Sequence, residues 1–109
     1  IFTPEGRMMV AMTTEGRQAP KIDQDRAELF KSLLSYSGMY RLEGDKWITK
    51  VDVSGNPAWV GTEQVRFFRF EGDRLQVTTA WMQSLVRPER GMARGFLTFE
   101  RARQGPIKP

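Results

Sequence analysis

At 109 residues the chain supports one domain, a size that removes roughly 65% of the unfolded surface from water. It contains neither cysteine nor histidine, which removes disulfides, thiolate chemistry and imidazole as base or metal ligand. The net charge is +4, with arginines dispersed among Glu and Asp along the whole length, a mixed-sign surface rather than a nucleic-acid footprint, and no apolar run approaches the ~20 residues that span a bilayer.

The first segment reads as strand, tight turn, strand. Ile1–Thr3 leads into Pro4-Glu5-Gly6, where Pro presets one corner and Gly supplies the permissive one, and Arg7–Thr13 follows. Residues 14–21 lack periodicity and read as a loop. Asp23 is the expected N-cap of a helix over 24–36, because Ala27, Phe30, Leu33 and Leu34 recur at spacings of three and four and Gly38 can end it.

Two hairpins come next, each turning on Glu-Gly-Asp followed by a basic residue. Met39–Glu43 and Lys46–Val53 flank Gly44-Asp45, and a Gly-first loop of two residues suits a type II′ turn. That register sets Glu43 opposite Lys46, Leu42 opposite Trp47 and Tyr40 opposite Thr49. Alternation then puts Tyr40, Leu42, Trp47, Thr49, Val51 and Val53 on one face, and Arg41, Glu43, Lys46, Lys50 and Asp52 on the other. Thr62–Glu71 and Arg74–Thr79 repeat the arrangement around Gly72-Asp73, with Phe70 opposite Leu75 and Phe68 opposite Val77. Favourable turn chemistry accounts for both without an internal repeat. Residues 54–61 read as a turn-rich connection, 80–93 as a longer loop, and 95–101 as a last strand.

The expected fold is mainly β: an antiparallel sheet of about seven strands with one short α-helix near residues 24–36, its apolar face covered either by closure into a barrel or by folding over the helix, in a single domain over residues 1–103 followed by a flexible tail, 104–109. The chain opens on Ile1 rather than Met, so the domain is expected to be incomplete at its N-terminus.

Several stretches carry a likeness to a known family. Phe2–Met8, Tyr36-Ser37-Gly38-Met39-Tyr40, Gly61–Phe68 and Gly72-Asp73-Arg74-Leu75 resemble the bacterial and fungal lipocalin-like domain family, from residue 2 to about 100. The resemblance implies a small antiparallel up-and-down β barrel of the calycin type, lipocalin-like, with a central cavity. Family members usually begin with a strand bearing Gly-x-Trp, which is absent here; a barrel without it exposes two edges. The family has no agreed function, so the likeness implies a scaffold and a pocket.

On the inner face of the second hairpin, Gln64 and Arg66 lie among aromatics. They can hold a carboxylate or enolate head group, Arg with its planar fork and Gln with its amide, or sit solvated at the barrel mouth. Tyr40, Trp47, Trp59, Arg66, Phe68 and Trp81 are the candidate ligand-binding residues, against the simpler reading that such aromatics fill a small barrel. Met8, Met9 and Met12 offer either an adaptable lining or ordinary packing. Asp23, Asp25, Asp45 and Asp73 fall at a helix start or in turns, so no catalytic residue is assigned, and no cofactor or metal is expected.

The leading expectation is a non-enzymatic, cytoplasmic domain that binds a small hydrophobic molecule in the barrel interior, with no nucleic-acid or membrane partner and with homodimerisation open to it. One alternative is a cofactor-free isomerase or cyclase using Tyr40, Gln64 or Arg66 to steer charge. Another is a structural or interaction module without a ligand.

Overall fold

The structure, a computed structural model, describes residues 1–80, 82–83 and 91–102. Its frame is one antiparallel sheet whose six strands follow chain order: β1 (Arg7–Thr13), β2 (Leu33–Glu43), β3 (Lys46–Ser54), β4 (Glu63–Glu71), β5 (Arg74–Thr79) and β8 (Phe96–Glu100). The sheet curls into a half-barrel with β1 and β8 as its edges. Between β5 and β8, Met82–Gln83 (β6) pairs with Met92–Ala93 (β7), where the sequence suggested only a loop. Such two-residue pairings leave too little alternation to be visible beforehand.

Both hairpins adopt the register expected of them, Glu43 opposite Lys46 and Glu71 opposite Arg74. Gly44 and Gly72 have φ of +62° and +60°, and no other residue type has positive φ among those described. Only the first loop position is left-handed in each, as a type II′ turn requires. The turns thereby set which side chains face inward. Met8, Tyr36, Trp47, Thr49, Val51, Arg66, Val77 and Thr79 are buried on the concave side.

One irregularity overrides simple alternation. Gly38 pairs with Val51 while its neighbour Ser37 pairs with Val53, so Asp52 is an extra residue, a β-bulge. Val53 does not share the inner face with Val51 as the alternation predicted; it stands opposite Ser37 and is 64% exposed. The bulge turns Asp52 toward β1. There its carboxylate takes two hydrogen bonds from Arg7, at 3.0 and 2.6 Å, and Arg7 also donates to Ser37 Oγ.

The helix is shorter than its apolar spacing suggested. α1 spans Asp23–Lys31, and Leu33, Leu34 and Tyr36 belong to β2, where Leu34 faces Met12 and Tyr36 faces Val10 across the ladder. Spacings of three and four in 27–34 fit a helix, but the alternate positions 34, 36 and 38 bury better against β1 and β3, and tertiary packing prevails over local pattern. None of the α1 residues is buried. Asp25, not Asp23, accepts from the amides of Lys21 and Ile22 at the helix start, while Asp23 pairs with Arg26. Gly38 therefore ends no helix.

The connection after β3 forms a 3-10 turn, Pro57–Trp59, started by Asn56, whose Oδ1 accepts from the Ala58 amide. It brings Trp59 down onto Tyr36, with ring centroids 5.4 Å apart. These two, with Met8 and Val51, form the hydrophobic core.

Candidate functional site

The concave wall is built from rows that cross the strands. Tyr40, Thr49 and Gln64 make one row across β2, β3 and β4. Trp47, Arg66 and Thr79 make the next across β3, β4 and β5, and Phe68, Val77 and Leu97 the one after that. Side chains opposite one another in such rows lie about 4.5–5.5 Å apart at Cβ.

Trp47 is the junction. Its ring lies 5.3 Å from Phe2 and 6.0 Å from Phe68, and Phe2 in turn lies 5.0 Å from Tyr40. Edge-to-face and tilted contacts of this kind add about 0.5–1.5 kcal/mol each beyond area burial. Phe2 reaches this position because Ile1–Thr3 doubles back on β1: Phe2 bridges to Met8, and the Met9 amide donates to the Ile1 carbonyl. Between the two edge strands lies a cleft of about 1250 Å³, whose apolar lining includes Phe2, Met8, Val10, Trp47, Leu75 and Phe99. That exceeds the roughly 300–1,000 Å³ of pockets that take drug-sized ligands.

The polar part of the wall is deeper. Arg66 is only 4% exposed, which overturns a solvated place at the barrel mouth. Its guanidinium lies over the Tyr36 ring, 5.8 Å from the centroid, and donates to the Val65 carbonyl at 3.0 Å. Burial raises the Tyr36 hydroxyl above its ordinary pKa, and the charge and hydrogen bonding of Arg66 work against that rise. Two further buried groups, Trp47 Nε1 and Thr49 Oγ1, have no hydrogen-bond partner among the described residues. Gln64 turns its Nε2 to Thr62 Oγ1, and the Tyr40 hydroxyl is 3.4 Å from the Thr3 carbonyl it donates to.

Of the residues singled out from sequence, Tyr40, Trp47, Arg66 and Phe68 gather around one stretch of inner wall. Trp59 lies in the hydrophobic core beside Tyr36, and Trp81 falls outside the described residues. Phe2, Tyr36, Thr49 and Phe99 complete the surroundings and were missed. Tyr36 and Thr49 had a signal, since each alternates in phase with Tyr40 or Trp47. Phe2 and Phe99 come from chain segments whose arrival at the cleft depends on the curl of the sheet.

The outer face carries the charges. Arg41 bonds Glu43 and Glu63, and ion pairs join Arg69 to Glu71 and Arg74 to Glu100. Among the described residues no three carboxylates gather as a metal ion would require, and no helix is long and apolar enough to cross a membrane.

A curled, up-and-down antiparallel sheet with an aromatic concave wall is the architecture of small lipocalin-type barrels. The model of the lipocalin-like domain family matches residues 1–102, and the chain belongs to that family. No curated protein matches the chain.

Proposed function

We propose that this domain binds a small hydrophobic molecule against the concave wall, with Trp47 at the centre of the contact surface and Tyr40, Phe68 and Arg66 around it. The observation that carries this reading is the position of Trp47. It lines the cleft, touches aromatic rings on both sides and stands opposite a buried arginine. Such a wall offers a ligand apolar area worth roughly 25 cal/mol per Å² buried, and rigid rings lose little entropy on contact. The missing imidazole and thiol support binding over catalysis, and the two carboxylates that line the cleft are in a turn (Asp73) and in an exposed ion pair with Arg74 (Glu100).

The test is titration with N-phenyl-1-naphthylamine, a neutral apolar fluorophore. Saturable enhancement at one site per chain is expected, weakened several-fold in Trp47→Leu and unchanged in Val53→Ala, which alters only the exposed face. Absence of saturable binding by the folded protein, to this probe and to medium-chain alkanols alike, overturns the proposal.

A further inference from the structure

We infer that the bound molecule carries an anionic head, a carboxylate or its electronic equivalent, received by the Trp47–Arg66 row. This rests on the reading of the concave wall as a hydrophobic binding surface and adds the chemical class of its ligand.

The inner wall at this height is rich in donors, and its acceptors are hydroxyls and an amide rather than carboxylates. Arg66 brings five N–H groups, of which the Val65 carbonyl takes one and the Tyr36 hydroxyl engages another. Arg7, Arg26, Arg41, Arg69, Arg74 and Lys31 pair with acids in exposed or half-exposed places, whereas Arg66 is buried and pairs with no carboxylate among the described residues. Trp47 Nε1 can only donate, and it is unpartnered in a side chain that is 6% exposed. Thr49, fully buried, leaves its hydroxyl unpartnered as well. A buried cation without a counter-charge, and buried donors without acceptors, each cost free energy that an incoming anion recovers.

Position supports the same conclusion. Trp47 and Arg66 are opposite in register, and Thr49 is two residues along β3 from Trp47 on the same face. Arg66 does not line the cleft, but Trp47 does. An apolar tail lying along Phe2, Leu75 and Phe99 therefore ends at the indole, and a turn of that ring opens the row to the head group. The planar fork of Arg66 then accepts a carboxylate in bidentate fashion, with the indole N–H as a third donor. A neutral ligand offers these donors only uncharged acceptors and leaves the charge of Arg66 uncompensated. Another cation is repelled.

The experiment compares dodecanoate, dodecanol and methyl dodecanoate by isothermal titration on the folded protein. Dodecanoate is expected to bind on the order of 10- to 100-fold more tightly than either neutral molecule, as charged hydrogen bonds allow. Arg66→Met should abolish the preference, with dodecanoate and dodecanol binding equally to the variant. Trp47→Phe, which keeps a ring and removes the N–H, should reduce the preference several-fold, and it carries the test if Arg66→Met does not fold. Equal affinity of the three in the wild type overturns the head-group assignment and leaves the hydrophobic site standing. A preference that survives both substitutions also overturns it. Binding of none of the three overturns the head-group assignment, and with it the hydrophobic site if the naphthylamine fails to bind as well.

Discussion

Gly38 and Lys50 approach so closely that a Cβ on Gly38 would stand 1.9 Å from the Lys50 carbonyl oxygen. The contact is with backbone, so no rotamer change relieves it. Gly38→Ala should therefore force β2 and β3 apart beside the bulge and cost about 3 kcal/mol or more, at the upper end of overpacking effects. Gly44→Ala, whose added methyl meets nothing within 4 Å but which needs φ of +62°, should cost only about 1–2 kcal/mol. Urea unfolding of the two variants side by side checks the contrast.

The bulge at Asp52 separates two valines that alternation would place together. Val51 is 2% exposed within the core, and Val51→Ala should cost about 2–3 kcal/mol through lost transfer energy and a residual cavity. Val53→Ala should stay within about 0.5 kcal/mol, as exposed substitutions do. Similar losses at both sites, measured by chemical denaturation, would mean that the bulge is misplaced.

Acid should loosen the joint between β1 and the bulge. The hydrogen bond from Arg7, reinforced by its charge, holds the Asp52 carboxyl below its ordinary pKa, and Arg41 does the same to Glu63. Groups lowered on folding stabilise the protein above their unfolded pKa, about 4, and that contribution is lost as pH falls through the folded value. The urea midpoint is expected to drop from pH 5 toward pH 2 in the wild type, and to drop less in Asp52→Asn. Because both partners are half exposed, added salt should shrink the difference.

The helix α1 contributes little to the fold. Phe30 is 54% exposed, and no residue of the helix is buried. Phe30→Ser should leave global stability within about 0.5 kcal/mol, and amides of 26–31 should exchange by local opening well ahead of those in β3. Exchange of the two elements in step would show that α1 is part of the cooperative core.

Legibility in the sequence tracked how local each determinant was. The hairpin registers needed only two glycines and the alternation around them, so Tyr40, Trp47, Arg66 and Phe68 could be assigned to one wall in advance. The end of α1 depended on β1 offering partners to Leu34 and Tyr36, and the reversal of Val53 on one extra residue in β3. Neither leaves a mark in composition or spacing. Arg66 shows the same limit at the site: its place on the inner face was legible, but its burial came from Tyr36 and the curl of the sheet.

The sheet order also bears on how the chain acquires its shape. β1 through β4 each pair with the strand next in sequence, and two of those pairings close over loops of two residues. Two pairings span longer intervals, β1 with β2 across residues 14–32 and β8 with β5 across residues 80–95. Loop closure costs entropy before contacts repay it, so the two hairpins are expected to lead and the edge strands β1 and β8 to dock later. Substitutions at Gly44 and Gly72 should then slow folding, whereas Leu97→Ala in β8 should chiefly hasten unfolding, a division that chevron plots would read directly. Since Phe99 of β8 and Trp47 of β3 line the same cleft, the binding surface would be the last part of the molecule to be completed.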